Sequence, residues 1–66
     1  MVIELNGQSK TLDSPTSISD LLAQLNLEAA HVIAELNRTI LTADQFGATI
    51  LQQGDRLELI QFVGGG

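Results

Sequence analysis

The chain has no cysteine, which removes a disulfide framework, a thiolate metal site and any thiol nucleophile or persulfide of its own. Covalent chemistry, if there is any, uses another group. Basic residues are scarce too: Lys10, Arg38 and Arg56 stand against eight acidic residues, for a formal net charge of −5. That balance opposes phosphate backbones and anionic lipid surfaces, so neither nucleic acid nor membrane is an expected partner. The negative surplus would suit docking to a basic protein surface, although such a balance is more often only a solubility device. No apolar run approaches the roughly 20 residues of a membrane span, and Met1-Val2-Ile3-Glu4 has no basic leader, so the protein is expected in the cytoplasm.

What remains is enough for one folded domain. The 66 residues are 44% apolar, well above disordered acidic segments, which have too few apolar residues for a core. A chain this short buries only about 60% of its unfolded surface on folding, which leaves little room for a large enclosed active site.

Val2-Ile3-Glu4-Leu5 alternates with period two and runs into Asn6-Gly7, a pair suited to a tight hairpin because both residues accept positive φ. Strands are predicted at about Val2–Leu5 and Gln8–Leu12, ended by Asp13-Ser14-Pro15. Ser17 and Asp20 resemble a capping box, and Ile18, Leu21, Leu22 and Leu25 fall at i, i+3, i+4 and i+7, so a helix starts there with its apolar stripe facing a sheet. Asn26 is the expected stop, with Leu27 folding back over the last turn. Val32–Leu36 reads as a third strand, Asn37-Arg38 as a turn and Thr39–Leu41 as a short fourth strand. Thr42–Phe46 reads as a single helical turn with Gln45 three residues after Thr42. After a turn at Gln53-Gly54-Asp55, Arg56–Val63 is the last and longest strand.

This order of hairpin, helix and further strands gives an α+β fold: a mixed sheet of four to five strands with one main helix packed across it. The last strand is apolar enough to be central and lies parallel to the first, because the helix supplies the crossover. That is the β-grasp arrangement. Residues 1–63 form the domain and 64–66 a glycine tail.

Ordering each of Gly64, Gly65 and Gly66 costs about 1–2 kcal/mol of backbone entropy with no side-chain burial in return, so the tail is expected to be mobile in the free protein. Without Cβ atoms it fits a slot too narrow for other residues and presents a terminal carboxylate, ionised at neutral pH and a poor electrophile until activated. On composition alone such an ending reads as a frayed terminus.

A resemblance reverses that reading. Val2-Ile3-Glu4-Leu5-Asn6-Gly7, Ser17-Ile18-Ser19-Asp20-Leu21-Leu22, Glu35-Leu36-Asn37, Gly54-Asp55-Arg56-Leu57-Glu58 and the terminal glycines, in this order and spacing, resemble the small sulfur carriers of thiamine biosynthesis, members of the ubiquitin-like β-grasp family. The resemblance covers the whole chain. It departs in having a third glycine where the family usually needs two, which makes Gly64 a spacer. The resemblance implies an adenylating enzyme related to ubiquitin activators, which uses ATP to form an acyl-adenylate at Gly66. Gly64 and Gly65 are the residues expected to thread into the partner for that step, and sulfur from a persulfide donor then displaces AMP, leaving a thiocarboxylate. Thiazole synthase would receive that sulfur for the thiazole of thiamine. The chain binds no cofactor of its own. The sulfur carrier of molybdopterin synthesis is a related alternative, usually longer and with a proline before its final glycines, unlike Leu59-Ile60-Gln61-Phe62-Val63. A ubiquitin-like interaction module or protein modifier is an alternative of another class.

No nucleophile, base and orienting group occur together, so the chain is expected to be no enzyme. His31, the sole histidine, precedes a strand and reads as a surface residue without a role. Turns and helix caps account for Asp13, Asp20, Asp44 and Asp55, so no metal site is expected. In the last strand Leu57 and Leu59 fall on one face and Arg56, Glu58, Ile60 and Phe62 on the other. If the leucines meet the helix, Ile60 and Phe62 are exposed, joined by Ile33, and form a partner-docking site. Scattered surface hydrophobicity, or the reverse strand phase, is the competing reading.

Overall fold

In the computed structural model, which describes residues 1–62, strands β1 (Val2–Leu5) and β2 (Gln8–Thr11) pair antiparallel. Asn6 and Gly7 between them both take positive φ, 49° and 81°, the combination whose twist matches the flanking strands. The predicted end of β2 at Leu12 is one residue late. Leu12 leaves the ladder and turns into the core, although its N–H still donates to the Met1 carbonyl at 2.8 Å.

Helix α1 (Ile18–Gln24) opens on the predicted capping box: the Asp20 N–H donates to Ser17 Oγ at 3.0 Å and the Ser17 N–H to Asp20 Oδ2 at 3.3 Å. The two earlier donors of the first turn, Ile18 and Ser19, bond to the carbonyls of Thr49 and Phe46. Every N–H that a helix start normally leaves without a partner is therefore satisfied. Asn26 adopts φ 59° and ends the helix, and the Leu27 N–H donates back to the Leu22 carbonyl at 2.9 Å.

One member of the predicted stripe is misplaced. Ile18, Leu21 and Leu22 are buried, but Leu25, the C-cap residue whose N–H still donates to the Leu21 carbonyl at 3.0 Å, is exposed at the end of α1. Leu27, returned by the left-handed turn at Asn26, packs against the core instead.

A 3-10 turn at Ala29–His31 leads into β3 (Val32–Leu36), which pairs antiparallel with β4 (Thr39–Leu41) across Asn37-Arg38. A second 3-10 turn covers Ala43–Gln45, where the Gln45 side-chain oxygen accepts from the Thr42 N–H at 2.9 Å. The chain then passes over the start of α1 and reaches β5 (Arg56–Gln61) through Gly54 at φ 84°. The predicted last strand ran to Val63, which lies outside the described residues.

The five strands are ordered β2-β1-β5-β3-β4, with β5 central, parallel to β1 and antiparallel to β3. Helix α1 lies across one face, the β-grasp arrangement. The largest fully buried side chains are Phe46, Ile3, Ile18, Leu21, Leu51 and Leu57. Two of these, Phe46 and Leu51, come from the irregular stretch between β4 and β5. They close the core beside the start of α1, where the Leu51 N–H bonds to the Thr16 carbonyl at 2.9 Å.

Candidate functional site

Gly64, Gly65 and Gly66, the expected threading and loading residues, lie outside the described residues. The structure does place the point from which they follow. Strand β5 runs beside β3 from Leu57, opposite Leu36, to Gln61, opposite Val32. One step beyond the ladder the Phe62 N–H donates to the His31 carbonyl at 2.9 Å. The tail therefore follows from the centre of the sheet, at the end where β3 begins.

The alternation of β5 resolves the strand phase. Leu57 is fully buried and Leu59 is 9% exposed beneath α1, whereas Ile60 and Phe62 are 54% and 43% exposed on the open face. Ile33, 42% exposed, sits directly opposite Ile60 across the β3–β5 pair. The three expected docking residues are thus together, next to the start of the tail. Ile40, the most exposed large apolar residue, belongs to the same face, because its strand neighbour Leu41 opposes inward-facing Ala34. The sequence reading missed Ile40: a strand of three residues is too short to display an alternation, and only its pairing with β3 assigns its face.

Charge varies along this face. Glu35 and Glu58 stand opposite one another just beyond the Ile33–Ile60 pair, and neither makes an ion pair among the described residues. Further along, Arg56 Nε lies 2.8 Å from Glu4 Oε2. Running from the tail, the face is apolar, then acidic, then internally neutralised, which complements a partner surface with an apolar centre and a basic margin.

His31, given no role from sequence, is half-buried and packs its ring against Phe62. The aspartates behave as expected where the structure resolves a role: Asp20 caps α1, and Asp55 accepts from the Gln52 N–H at 2.7 Å and from Asn37 Nδ2 at 3.0 Å. Among the described residues no group of three or more histidine, aspartate or glutamate side chains is placed to hold a metal ion, and no helix is long and apolar enough to cross a membrane.

Two substitutions separate the faces of β5. Leu59→Ala is expected to cost about 2–5 kcal/mol of stability as a core truncation. Phe62→Ser is expected to leave the melting temperature within a few degrees and to weaken binding of a docking partner by about tenfold or more. Thermal melts and binding titrations of both variants check this, and a stability loss confined to Phe62→Ser contradicts the assignment of faces.

Comparison with known proteins places this geometry in context. The profile of the ThiS family matches residues 3–66. A thiazole synthase of Magnetococcus marinus is 33% identical over 66 residues, covering all of this chain but only 20% of that protein's length. The sulfur carrier protein ThiS of Bacillus subtilis is 36% identical, over 98% of this chain and 100% of that protein. The crystal structure of thiamine biosynthesis protein ThiS from Geobacter metallireducens superposes with a TM-score of 0.83 at 35% identity, each chain covered in full.

Proposed function

The chain belongs to the ThiS family, and from that membership we propose that it is a small sulfur carrier of thiamine biosynthesis, loaded at the carboxylate of Gly66. The observation that carries this reading is the match that runs through residue 66 and covers a sulfur carrier of Bacillus subtilis over its whole length. The ubiquitin-like β-grasp fold is shared with the Geobacter protein.

The chemistry follows from what a carboxylate lacks. An adenylating partner directs a carboxylate oxygen of Gly66 onto the α-phosphorus of ATP; pyrophosphate leaves, and the carbonyl carbon now bears AMP, a good leaving group. The terminal sulfur of a persulfide donor attacks that carbon and expels AMP, giving an acyl disulfide. A thiol then attacks the donor's sulfur and releases the thiocarboxylate, leaving a disulfide behind. The carrier contributes no acid or base to these steps. It supplies the carboxylate, a tail of Gly64, Gly65 and Gly66 slim enough to enter the partner, and a docking face of Ile33, Ile60 and Phe62. Threading the three glycines costs roughly 3–6 kcal/mol of ordering entropy, so affinity comes from the folded domain.

Thiazole synthase is the receiving partner in this reading. Its support is that a thiazole synthase contains a segment similar to the whole of this chain. This likeness favours the thiamine pathway over molybdopterin synthesis and over a role as protein modifier. The carrier works in the cytoplasm.

The activation step is tested by ATP–pyrophosphate exchange with the adenylating partner. Exchange is expected only when the carrier is present. Exchange that is independent of the carrier, using a partner known to activate another sulfur carrier, overturns the reading.

A further inference from the structure

We propose that His31 is a positioning residue for the glycine tail, holding Phe62 by its carbonyl and its ring and so fixing the point from which Gly66 is presented. The inference rests on the reading that Gly66 is the group activated.

The β3–β5 ladder ends with Val32 opposite Gln61. Beyond it the chain is held by a residue outside the sheet, since the carbonyl accepting from Phe62 is that of His31, the last residue of the 3-10 turn. The side chains repeat the attachment: the ring centroids of His31 and Phe62 lie 6.3 Å apart with an interplanar angle of 68°, the edge-to-face geometry favoured by ring quadrupoles. Glu28 lies beside His31: its Oε2 is 3.5 Å from His31 Nδ1, and its carbonyl accepts from the His31 N–H at 2.9 Å. Glu28, His31 and Phe62 thus form a chain of contacts that ends where the tail begins. Phe62 remains partly exposed and so has surface left for a docked partner.

Fixing this point has a consequence for rate. The four residues after Phe62 span at most about 14 Å, so the place of Phe62 bounds where the carboxylate can be presented. Loose attachment also adds backbone freedom that must be removed at the moment of reaction. Docking through Ile33, Ile60 and Phe62 governs KM, whereas the position of the carboxylate governs kcat.

The test compares His31→Ala, His31→Phe and the unaltered chain in adenylation by the partner, and follows hydrogen exchange of the Phe62 amide in the carrier alone. His31→Ala is expected to lower kcat by about 3–10-fold, with KM and melting temperature little changed, and to speed Phe62 exchange by a similar factor. His31→Phe, which keeps a ring edge, is expected to restore most of both. An unchanged kcat in His31→Ala overturns the proposal, as does a loss that His31→Phe leaves uncorrected and that tracks a fall in melting temperature. If the unaltered carrier is not adenylated at all, the proposed function fails separately. The exchange measurement then decides alone, and an unchanged Phe62 rate in His31→Ala refutes the attachment.

Discussion

Deleting Gly66, or adding an alanine after it, is expected to abolish adenylation while leaving the melting temperature of the domain unchanged. The stability half of this expectation follows from the core. Its buried apolar side chains among the described residues run from Ile3 to Leu59, and neither change alters any of them. The activity half follows from geometry. One extended residue shifts the chain end by about 3.3–3.6 Å, and a misplacement of only about 1 Å at a reacting centre costs on the order of 10²-fold in rate. Pyrophosphate exchange and a thermal melt on each variant check the two halves together. A variant that unfolds makes the tail structural, and a variant that still exchanges moves the chemistry away from Gly66.

Phe46→Ala is expected to be among the most damaging single substitutions to the fold. Phe46 is 1% exposed and is the largest of the fully buried side chains. Truncating it costs about 3–5 kcal/mol through lost burial and the cavity left behind. A domain of this size has roughly 3–10 kcal/mol of stability in total, so the substitution removes a large fraction of it. If the variant still melts cooperatively, its melting temperature falls by at least ~12 °C. The site of damage adds to the effect, since the Phe46 backbone carbonyl also accepts from Ser19 in the first turn of α1. Circular dichroism melts check this, and a shift of only a few degrees contradicts the packing described for the segment between β4 and β5.

These two positions mark what was and was not legible in the sequence. Signals that depend on a few adjacent residues could be read directly. Asn6-Gly7 specifies its hairpin through positive φ, Ser17 and Asp20 specify a helix start, and the alternation from Arg56 to Gln61 assigns buried and exposed faces to β5. Leu25 shares the phase of the buried residues yet is exposed, because helical periodicity says which residues share a face but not how far along the helix that face is covered.

Phe46 and Leu51 carry no periodic signal. Their burial is decided by contact between a turn and the start of a helix some 30 residues earlier in the chain, a separation set by backbone bonds from Ile18 to Thr49 and from Leu51 to Thr16. His31 was overlooked for the same reason: its contact with Phe62 exists only because β3 and β5 pair in a particular register. The role of the tail was legible at a different level. Three glycines alone read as a frayed end, and it was the order of motifs along the whole chain that pointed to the carrier.

The most direct measurement of the central claim is the intact mass of the protein after incubation with the adenylating partner, ATP and a persulfide sulfur donor, followed by fragmentation of its C-terminal peptide. The expected result is replacement of one oxygen by one sulfur, dependent on ATP and located at Gly66. Sulfur found on any other residue, an amide joining Gly66 to a lysine of another protein, or no ATP-dependent change with a partner known to load a related carrier would contradict it.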